Sequence, residues 1–224
     1  MESIRIPDKP DDEPDTTHEE HQKIDKRRKH SRARREVRKE LFSTLAILIL
    51  APIIAIILTV FVFQSYQVDG PSMESTLHNN DRLIVTKLGK TWSEITGGEY
   101  IPKRFSIIIF NYNGQSGFDV ANKQLVKRVI GLPGDHIVIK DGVVTVYNSE
   151  HPQGFYPDKV GPEASVITNT RGELDRTLGS DEIFVMGDNR DNSLDSREFG
   201  PIRSEDIVGT LRLRIYPFGA IREF

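Results

Sequence analysis

The longest apolar stretch of the chain is an uncharged run of 22 residues from Phe42 to Phe63. A helix that crosses a bilayer needs about 20 such residues, so the run predicts a transmembrane helix over residues 41–63. A buried core helix seldom stays apolar on every face over this length. Pro52 lies inside the run, and membrane helices tolerate proline better than soluble ones. A cleaved signal peptide is the rival interpretation, but its apolar region is shorter and ends at small residues, whereas Gln64–Gln67 follow here.

After Phe63 the apolar positions fall into short segments separated by Gly, Pro, Asn and Asp, a pattern typical of strands and turns. The clearest pair is 136–140 and 143–147, because Asp-Gly between apolar segments favours a tight hairpin turn. Residues 148–181 are polar and lack periodicity, so they are interpreted as an insertion or cap. The pattern predicts one mostly β domain over residues 64–224, with further strands at 81–87, 106–110 and 124–130.

Charge changes sign along the segment before the apolar run. Residues 1–22 contain eight acids and too few apolar side chains for a core, so we expect them to be disordered. Residues 23–40 contain ten Lys or Arg. Basic residues beside a membrane helix stay in the cytoplasm, which predicts a cytoplasmic tail over 1–40 and an extracytoplasmic domain over 64–224. The basic run can also contact anionic lipid.

The composition excludes several kinds of site. The chain has no Cys, which excludes disulfides, thiol nucleophiles and cysteine-containing zinc sites. Three of its six His residues lie in the tail before residue 41, and His78, His136 and His151 show no metal-ligand spacing, so we expect no metal or other cofactor. A net charge of −3 gives no case for nucleic acid as a partner. A Ser–His–Asp arrangement of Ser72 with His136 stays open as an alternative.

Ser72 lies in the segment Gly70–Leu77, directly after Gly-Pro. A serine in this position is usually a turn residue, and the motif alone is weak evidence for a nucleophile. Ser72 follows Phe63 by nine positions, and an extended chain covers at most about 3.5 Å per residue. Ser72 must therefore lie within about 30 Å of the membrane face.

Lys127 lies in the predicted strand 124–130. Side chains alternate along a strand, so Lys127 and Arg128 point to opposite faces, each between two aliphatic residues. We expect one of these faces to point inward. A lysine whose ammonium group reaches water is the commoner arrangement. A lysine desolvated among aliphatic groups has a lowered pKa, however, and its neutral amine can accept a proton.

A third segment, Met186–Arg197, is dense in Asp, Asn and Ser and is typical of a loop. Alternating carboxylate and amide oxygens could bind calcium, but the EF-hand pattern fails because its glycine and terminal glutamate are misplaced. Arg190 and Arg197 also oppose a site for a dication. A structural network of Asp–Arg pairs is the better alternative.

Four features of the chain, taken in order, resemble bacterial type I signal peptidases, the serine–lysine peptidase family S26. They are the apolar span, Pro-Ser-Met, Lys-Arg-Val-Ile-Gly-Leu-Pro-Gly-Asp and Gly-Asp-Asn-Arg-Asp-Asn-Ser-Leu-Asp-Ser-Arg. The resemblance covers residue 42 to the carboxyl terminus. It implies a mostly β, signal-peptidase-like (LexA-like) catalytic domain with a small inserted cap, preceded by one transmembrane helix.

The resemblance also implies roles for single residues. Ser72 would be the nucleophile and Lys127 the general base. The oxyanion would be held by the backbone N–H of Ser72, with Gly70 as a second backbone donor where some members carry a hydroxyl. Ser193 would bond the lysine amine and orient it.

Further residues would support the site or bind substrate. Asp195 and Arg197 occupy the positions of a structural ion pair, and Asp188 belongs to the same supporting shell. An extended peptide would bind against a sheet edge near Met73 or near Leu83 and Val85.

The implied function is a membrane-bound serine endopeptidase that removes signal peptides from secreted preproteins after small-X-small sites. Its partners would be signal peptides of exported preproteins and the lipid bilayer, without nucleic acid. It would be a single-pass protein of the cell membrane, with its amino terminus in the cytoplasm. A specialised serine–lysine peptidase for a few substrates and a catalytically inactive tethered homologue remain alternatives.

Overall fold

The computed structural model describes residues 38–112, 123–162, 167 and 169–224. Residues 1–37 of the tail predicted over 1–40 lie outside the described residues. The chain divides into two units, Met1–Ala55 and Ile56–Phe224.

The first helix, α1, runs from Arg38 to Ile57 with exposed side chains. Among the described residues it is the one helix whose length and composition suffice to cross a membrane. The predicted span reached Phe63, but the α-helix ends earlier. A π-helical turn, Leu58–Val62, follows it, and Phe63 begins a strand. Two carbonyl groups of this turn accept hydrogen bonds from residues later in the chain. Val62 O accepts from Lys87 N at 2.8 Å, and Phe61 O accepts from Thr91 Oγ1 at 3.1 Å.

Ile56–Phe224 is built mainly from antiparallel strands, so the prediction of a mostly β fold is confirmed. One large sheet has the order β1-β2-β10-β3-β4-β8-β9, with β11 paired to β10. A smaller sheet has the order β6-β5-β7. In chain order the elements are β1 (Phe63–Gln67), β2 (Arg82–Thr86), α2 (Leu88–Thr96), β3 (Ile107–Tyr112), β4 (Lys123–Gly131), β5 (His136–Lys140), β6 (Val143–Tyr147), α3 (Pro157–Val160), β7 (Leu174–Thr177), β8 (Glu182–Met186), α4 (Ser196–Phe199), β9 (Ile202–Arg203), β10 (Ile207–Tyr216) and β11 (Arg222–Glu223).

The predicted hairpin is confirmed as β5 and β6, paired from His136 with Tyr147 to Lys140 with Val143. Asp141 and Gly142 have φ values of 51° and 79°, as the tight turn requires at both positions. The polar segment 148–181 contains a strand that its pattern did not predict. That strand, β7, pairs with β5 and completes the smaller sheet.

A buried cluster at the β1–β2 end of the large sheet positions the candidate site. It brings together apolar side chains from three strands and from the loop before β2 (Val68, Met73, Leu77, Leu83, Ile107 and Leu211). Two of its members, Met73 and Leu77, belong to the Gly70–Leu77 segment and are fully buried. The segment that carries Ser72 is therefore held to the sheet by hydrophobic burial.

Candidate active site

Ser72 lies in a turn whose backbone is bonded on both sides. Glu74 N donates to Pro71 O at 3.1 Å, and Leu77 N donates to Met73 O at 2.8 Å. From the other side, Asn189 N donates to Ser72 O at 3.1 Å, so the loop after β8 holds the turn in place. Ser72 itself is half-buried, and its hydroxyl is held on a fixed backbone at the surface of the core.

Lys127 on β4 reaches the same point. Its Nζ lies 2.8 Å from Ser72 Oγ and 3.0 Å from Val126 O. The lysine is only 3% exposed, so it does not extend to water as the commoner arrangement would have it. A buried amine within hydrogen-bond reach of a hydroxyl is the geometry of a nucleophile and its base.

Burial lowers the pKa of Lys127 from 10.5 to about 8, and the negative charges of Asp195 and then Asp188 oppose this shift. Desolvation disfavours the ammonium form more than the two carboxylates favour it. A sizeable fraction of the amine is therefore neutral in mildly alkaline solution. This arrangement can take a proton from Ser72 without a histidine.

Arg128, the next residue on β4, is 5% exposed, so both faces of this strand are buried. We expected one of the two faces to point inward, and the structure buries the other as well. Arg128 bonds Asp188 with two nitrogens, at 2.7 Å and 2.6 Å, and donates to Phe105 O at 2.8 Å. Thr76 Oγ1 also donates to Asp188, at 2.5 Å. The second face is covered because the Ser72 turn and the β8 loop meet over it.

The structure shows which residues bond Asp188, which the sequence did not predict. Asp188 was predicted to support the site, but Arg128 and Thr76 were not identified as its partners. The available signal was the alternation along β4, which sends Arg128 away from Lys127. The contacting loops are too far apart in sequence for the pattern to pair them.

Asp195 and Arg197 lie together at the start of α4. Arg197 Nε and Nη2 donate to the two carboxylate oxygens of Asp195, each at 2.8 Å. Asp195 is fully buried and also accepts from Gly187 N at 3.0 Å, while Arg197 Nη2 donates to Arg190 O at 2.7 Å. The pair therefore ties α4 to the loop that holds the Ser72 turn.

Ser193 lies close to Ser72, but it does not form the predicted hydrogen bond with the Lys127 amine. Its Oγ is buried and has no hydrogen-bond partner within the part of the chain that the structure describes. The amine of Lys127 is bonded to Ser72 and Val126 instead. A side chain at Gly187 would collide with both Ser193 Oγ and Ser72 O, so Ser193 and Ser72 meet on the same side of this glycine.

Gly70 has a φ of +103°, which favours glycine, and its N–H donates to Asn79 Oδ1 at 3.1 Å. The predicted second oxyanion donor is therefore already engaged. Asn79 was not singled out from the sequence, because nothing in its spacing connects it to Gly70. No acceptor for the Ser72 N–H is present among the described residues.

The predicted substrate residues need a correction. Met73, Leu83 and Val85 are at most 1% exposed and belong to the core. β2 pairs with β1 on one side and with β10 on the other, so it has no free edge for a peptide.

The exposed edge near the site belongs to β4. Residues 123–127 pair only with β3 within the described chain, since β8 joins β4 from Arg128 onward.

His136 gives no support to the Ser–His–Asp alternative. It lies in the smaller sheet, where its Nε2 is 2.8 Å from Asp175 Oδ1 and its ring stacks on Tyr147. Within the described residues no hydrogen bond joins it to Ser72. In the same part of the chain, no group of three or more His, Asp or Glu is arranged to hold a metal ion.

Comparisons with known proteins agree on one family. The family model described as "Signal peptidase, peptidase S26" matches residues 41–216. A signal peptidase I of Bacillus amyloliquefaciens is 33% identical over 79% of this chain and 88% of its own. Signal peptidase I U of Bacillus subtilis is 35% identical over 83% of this chain and 94% of its own. A crystal structure of a signal peptidase I from Enterococcus faecalis aligns with a TM-score of 0.39 at 25% identity, over 50% of this chain and 97% of that one. The extent and identity of the sequence matches show that this chain belongs to the signal peptidase family, peptidase S26.

Proposed function

We propose that this chain is a membrane-bound serine endopeptidase that removes signal peptides from exported preproteins, with Ser72 as nucleophile and Lys127 as general base. The observation that carries the assignment is that Lys127 is buried and its Nζ lies 2.8 Å from Ser72 Oγ. Membership of the peptidase S26 family supports the reaction class and the substrate class.

The reaction follows from this pair. The neutral amine of Lys127 takes the Ser72 proton as Oγ attacks the scissile carbonyl. The resulting ammonium group gives that proton to the leaving amine, and an acyl-enzyme ester remains on Ser72. Water then attacks the ester, again with Lys127 as base, and the signal peptide leaves with a new carboxylate. Both steps need Lys127 to be neutral at the start.

The oxyanion formed in each step needs donors. The backbone N–H of Ser72 is one, because it has no acceptor among the described residues. The N–H of Gly70 is the second donor, but it must first leave Asn79 Oδ1 in order to bond the oxyanion. Losing one oxyanion donor costs about 3–4 kcal/mol in other hydrolases, so this exchange matters for the rate.

The substrate binds as an extended strand along residues 123–127 of β4. Main-chain hydrogen bonds to this free edge supply affinity, and the alternate side chains supply specificity. The edge ends at Lys127, which brings the scissile bond to Ser72. Small residues at −1 and −3 are expected because shallow apolar pockets reject large side chains. We expect Ala-X-Ala sites to be cleaved and phenylalanine at −1 to block cleavage.

The chain is anchored in the cell membrane by α1 and the turn that follows it. The amino-terminal tail lies in the cytoplasm and the catalytic domain lies outside, where signal peptides emerge. The ten basic residues before the span support this orientation, and they bring the tail to the anionic lipid surface.

The test is cleavage of a preprotein by the full chain in lipid vesicles. Ser72→Ala should lower the cleavage rate by about a thousandfold or more, because it removes the nucleophile. Ser180→Ala, at an exposed turn serine, is the matched control and should cleave at the wild-type rate. Cleavage by Ser72→Ala at a rate close to that of Ser180→Ala would overturn the assignment.

A further inference from the structure

The helix α2 has its polarity reversed relative to an ordinary surface helix. Leu88, Trp92 and Ile95 follow each other at helical spacing, which aligns them on one face. They are 52%, 69% and 74% exposed, and no residue of α2 is buried. A helix of a globular protein normally turns its apolar stripe to the core.

The polar side of the same helix makes the contacts with the protein. Lys90 Nζ donates to Glu205 O at 2.7 Å, and Thr91 Oγ1 donates to Phe61 O at 3.1 Å. Lys90, Thr91 and Ser93 are the less exposed residues of the helix. Because these hydrogen bonds fix the polar side of α2 against the protein, its apolar side must face outward.

The position of α2 indicates what covers this face. Its N-cap residue, Lys87, donates its backbone N–H to Val62 O at 2.8 Å, and Thr91 bonds Phe61. Phe61 and Val62 are among the last residues of the uncharged run that ends at Phe63. The helix is thus bonded directly to the end of the segment that leaves the membrane. An exposed apolar face on a helix bonded to the end of this run is within reach of lipid.

We propose that α2 is an interfacial helix that inserts Leu88, Trp92 and Ile95 into the outer layer of the bilayer that the apolar run crosses. This is a second membrane contact, made by the catalytic domain itself, and it rests on the membrane anchoring given under the proposed function. Tryptophan with aliphatic neighbours is the composition that interfacial helices use. The contact attaches the domain that carries Ser72 and Lys127 to the lipid through a helix of its own.

Trp92 is the only tryptophan in the chain, so its fluorescence reports on this helix alone. The full chain is reconstituted into phosphatidylcholine vesicles with and without lipids brominated near the top of the acyl chain. We expect a blue-shifted emission, strong quenching by the brominated lipid and little quenching by aqueous iodide. Quenching by iodide but not by brominated lipid would overturn the proposal. Protection from both quenchers would also overturn it, because protein rather than lipid would then cover the face.

A double variant, Leu88→Ser with Ile95→Ser, keeps the reporter and removes its apolar neighbours. Its emission should shift to the red, and quenching by brominated lipid should fall at least twofold. Val160→Ser, which changes a 63% exposed valine on α3, is the matched control and should leave both signals unchanged. Unchanged quenching in the double variant would contradict the insertion.

Cleavage of a short soluble peptide is measured on the same preparations. The double variant should cleave it at the wild-type rate, because the exposed face of α2 does not contact the catalytic pair. Failure of the lipid contact therefore appears in the fluorescence, and failure of the proposed activity appears in the peptide assay.

Discussion

At the scale of single residues, the site depends on a lysine that is buried without a carboxylate bonded to its amine. Lys127 contacts a hydroxyl and a carbonyl oxygen, and neither carries a charge that would offset the ammonium form. The nearby carboxylates of Asp188 and Asp195 are bonded to Arg128 and Arg197 and not to the amine. Function at this position is therefore obtained at the expense of stability.

This leads to a prediction about stability and pH. The pKa of Lys127 is about 8 in the folded chain, and 10.5 is its ordinary value. Between these pH values the unfolded state binds more protons, so the free energy of unfolding rises with pH. The total gain is about 3 kcal/mol and is absent in Lys127→Met, which has no amine.

We therefore expect the melting temperature of the wild type to rise relative to that of Lys127→Met between about pH 8 and pH 10.5. Lys140→Met, at an exposed lysine on β5, controls for general effects of alkaline pH and should follow the wild type. Thermal unfolding in detergent measures the difference. Parallel curves for wild type and Lys127→Met would mean that the lysine is not desolvated.

Ser193 gives a prediction in which stability and activity separate. Its buried hydroxyl has no hydrogen-bond partner among the described residues and does not stabilise the free enzyme, so Ser193→Ala should leave the melting temperature unchanged or slightly raised. If the hydroxyl turns to the Lys127 amine when substrate binds, kcat should fall by about tenfold. Thermal unfolding and peptide kinetics measure the two effects. An equal fall in stability and activity would instead make Ser193 a packing residue.

At the scale of elements, the strand β4 combines three tasks. One face holds Lys127 against Ser72, and the other holds Arg128 against Asp188. Its edge from residue 123 to 127 pairs only with β3 among the described residues and is the edge that we propose for the peptide. The three tasks are compatible because side chains of a strand leave it perpendicular to its hydrogen-bonding edge.

The free edge predicts a dependence on the substrate backbone. Peptides with single N-methylated amides on the amino side of the scissile bond lose one strand hydrogen bond and clash with the edge. At the positions that pair with β4 we expect kcat/KM to fall by about tenfold or more, while alternate positions are affected less. A scan of methylated peptides measures this pattern. Uniform tolerance of methylation would show that the peptide does not bind as an added strand.

Sequence pattern predicted some elements well and others not at all. The strands β2, β3 and β4 and the β5–β6 hairpin were found because apolar alternation and Asp141-Gly142 are local signals. β7 reads Leu-Asp-Arg-Thr and carries no alternation, so its pairing with β5 is decided by the tertiary structure. The motifs predicted Ser72 and Lys127 as one site. They could not predict that Gly70 bonds Asn79, or that β2 lies inside the sheet, because both depend on which segments meet in space.

At the scale of the whole molecule, the central requirement is that the catalytic domain and the signal peptide lie on the same side of the membrane. The chain lacks Cys, so single cysteines can report on each side. In intact spheroplasts an impermeant maleimide should label Ser180→Cys in the catalytic domain. Ser3→Cys in the acidic tail should be labelled only after lysis. Labelling of Ser3→Cys in intact spheroplasts would reverse the orientation.

The most direct test of the account is the pH dependence of kcat/KM for a soluble peptide, measured on the wild type and on Lys127→Arg. We predict a rising limb with an apparent pKa of about 8, because only the neutral amine of Lys127 can take the Ser72 proton. Lys127→Arg should be inactive at every pH, since a guanidinium group stays protonated. A profile without a rising limb near this pH, or a Lys127→Arg enzyme that retains a large fraction of wild-type turnover, would contradict the assignment of Lys127 as the base.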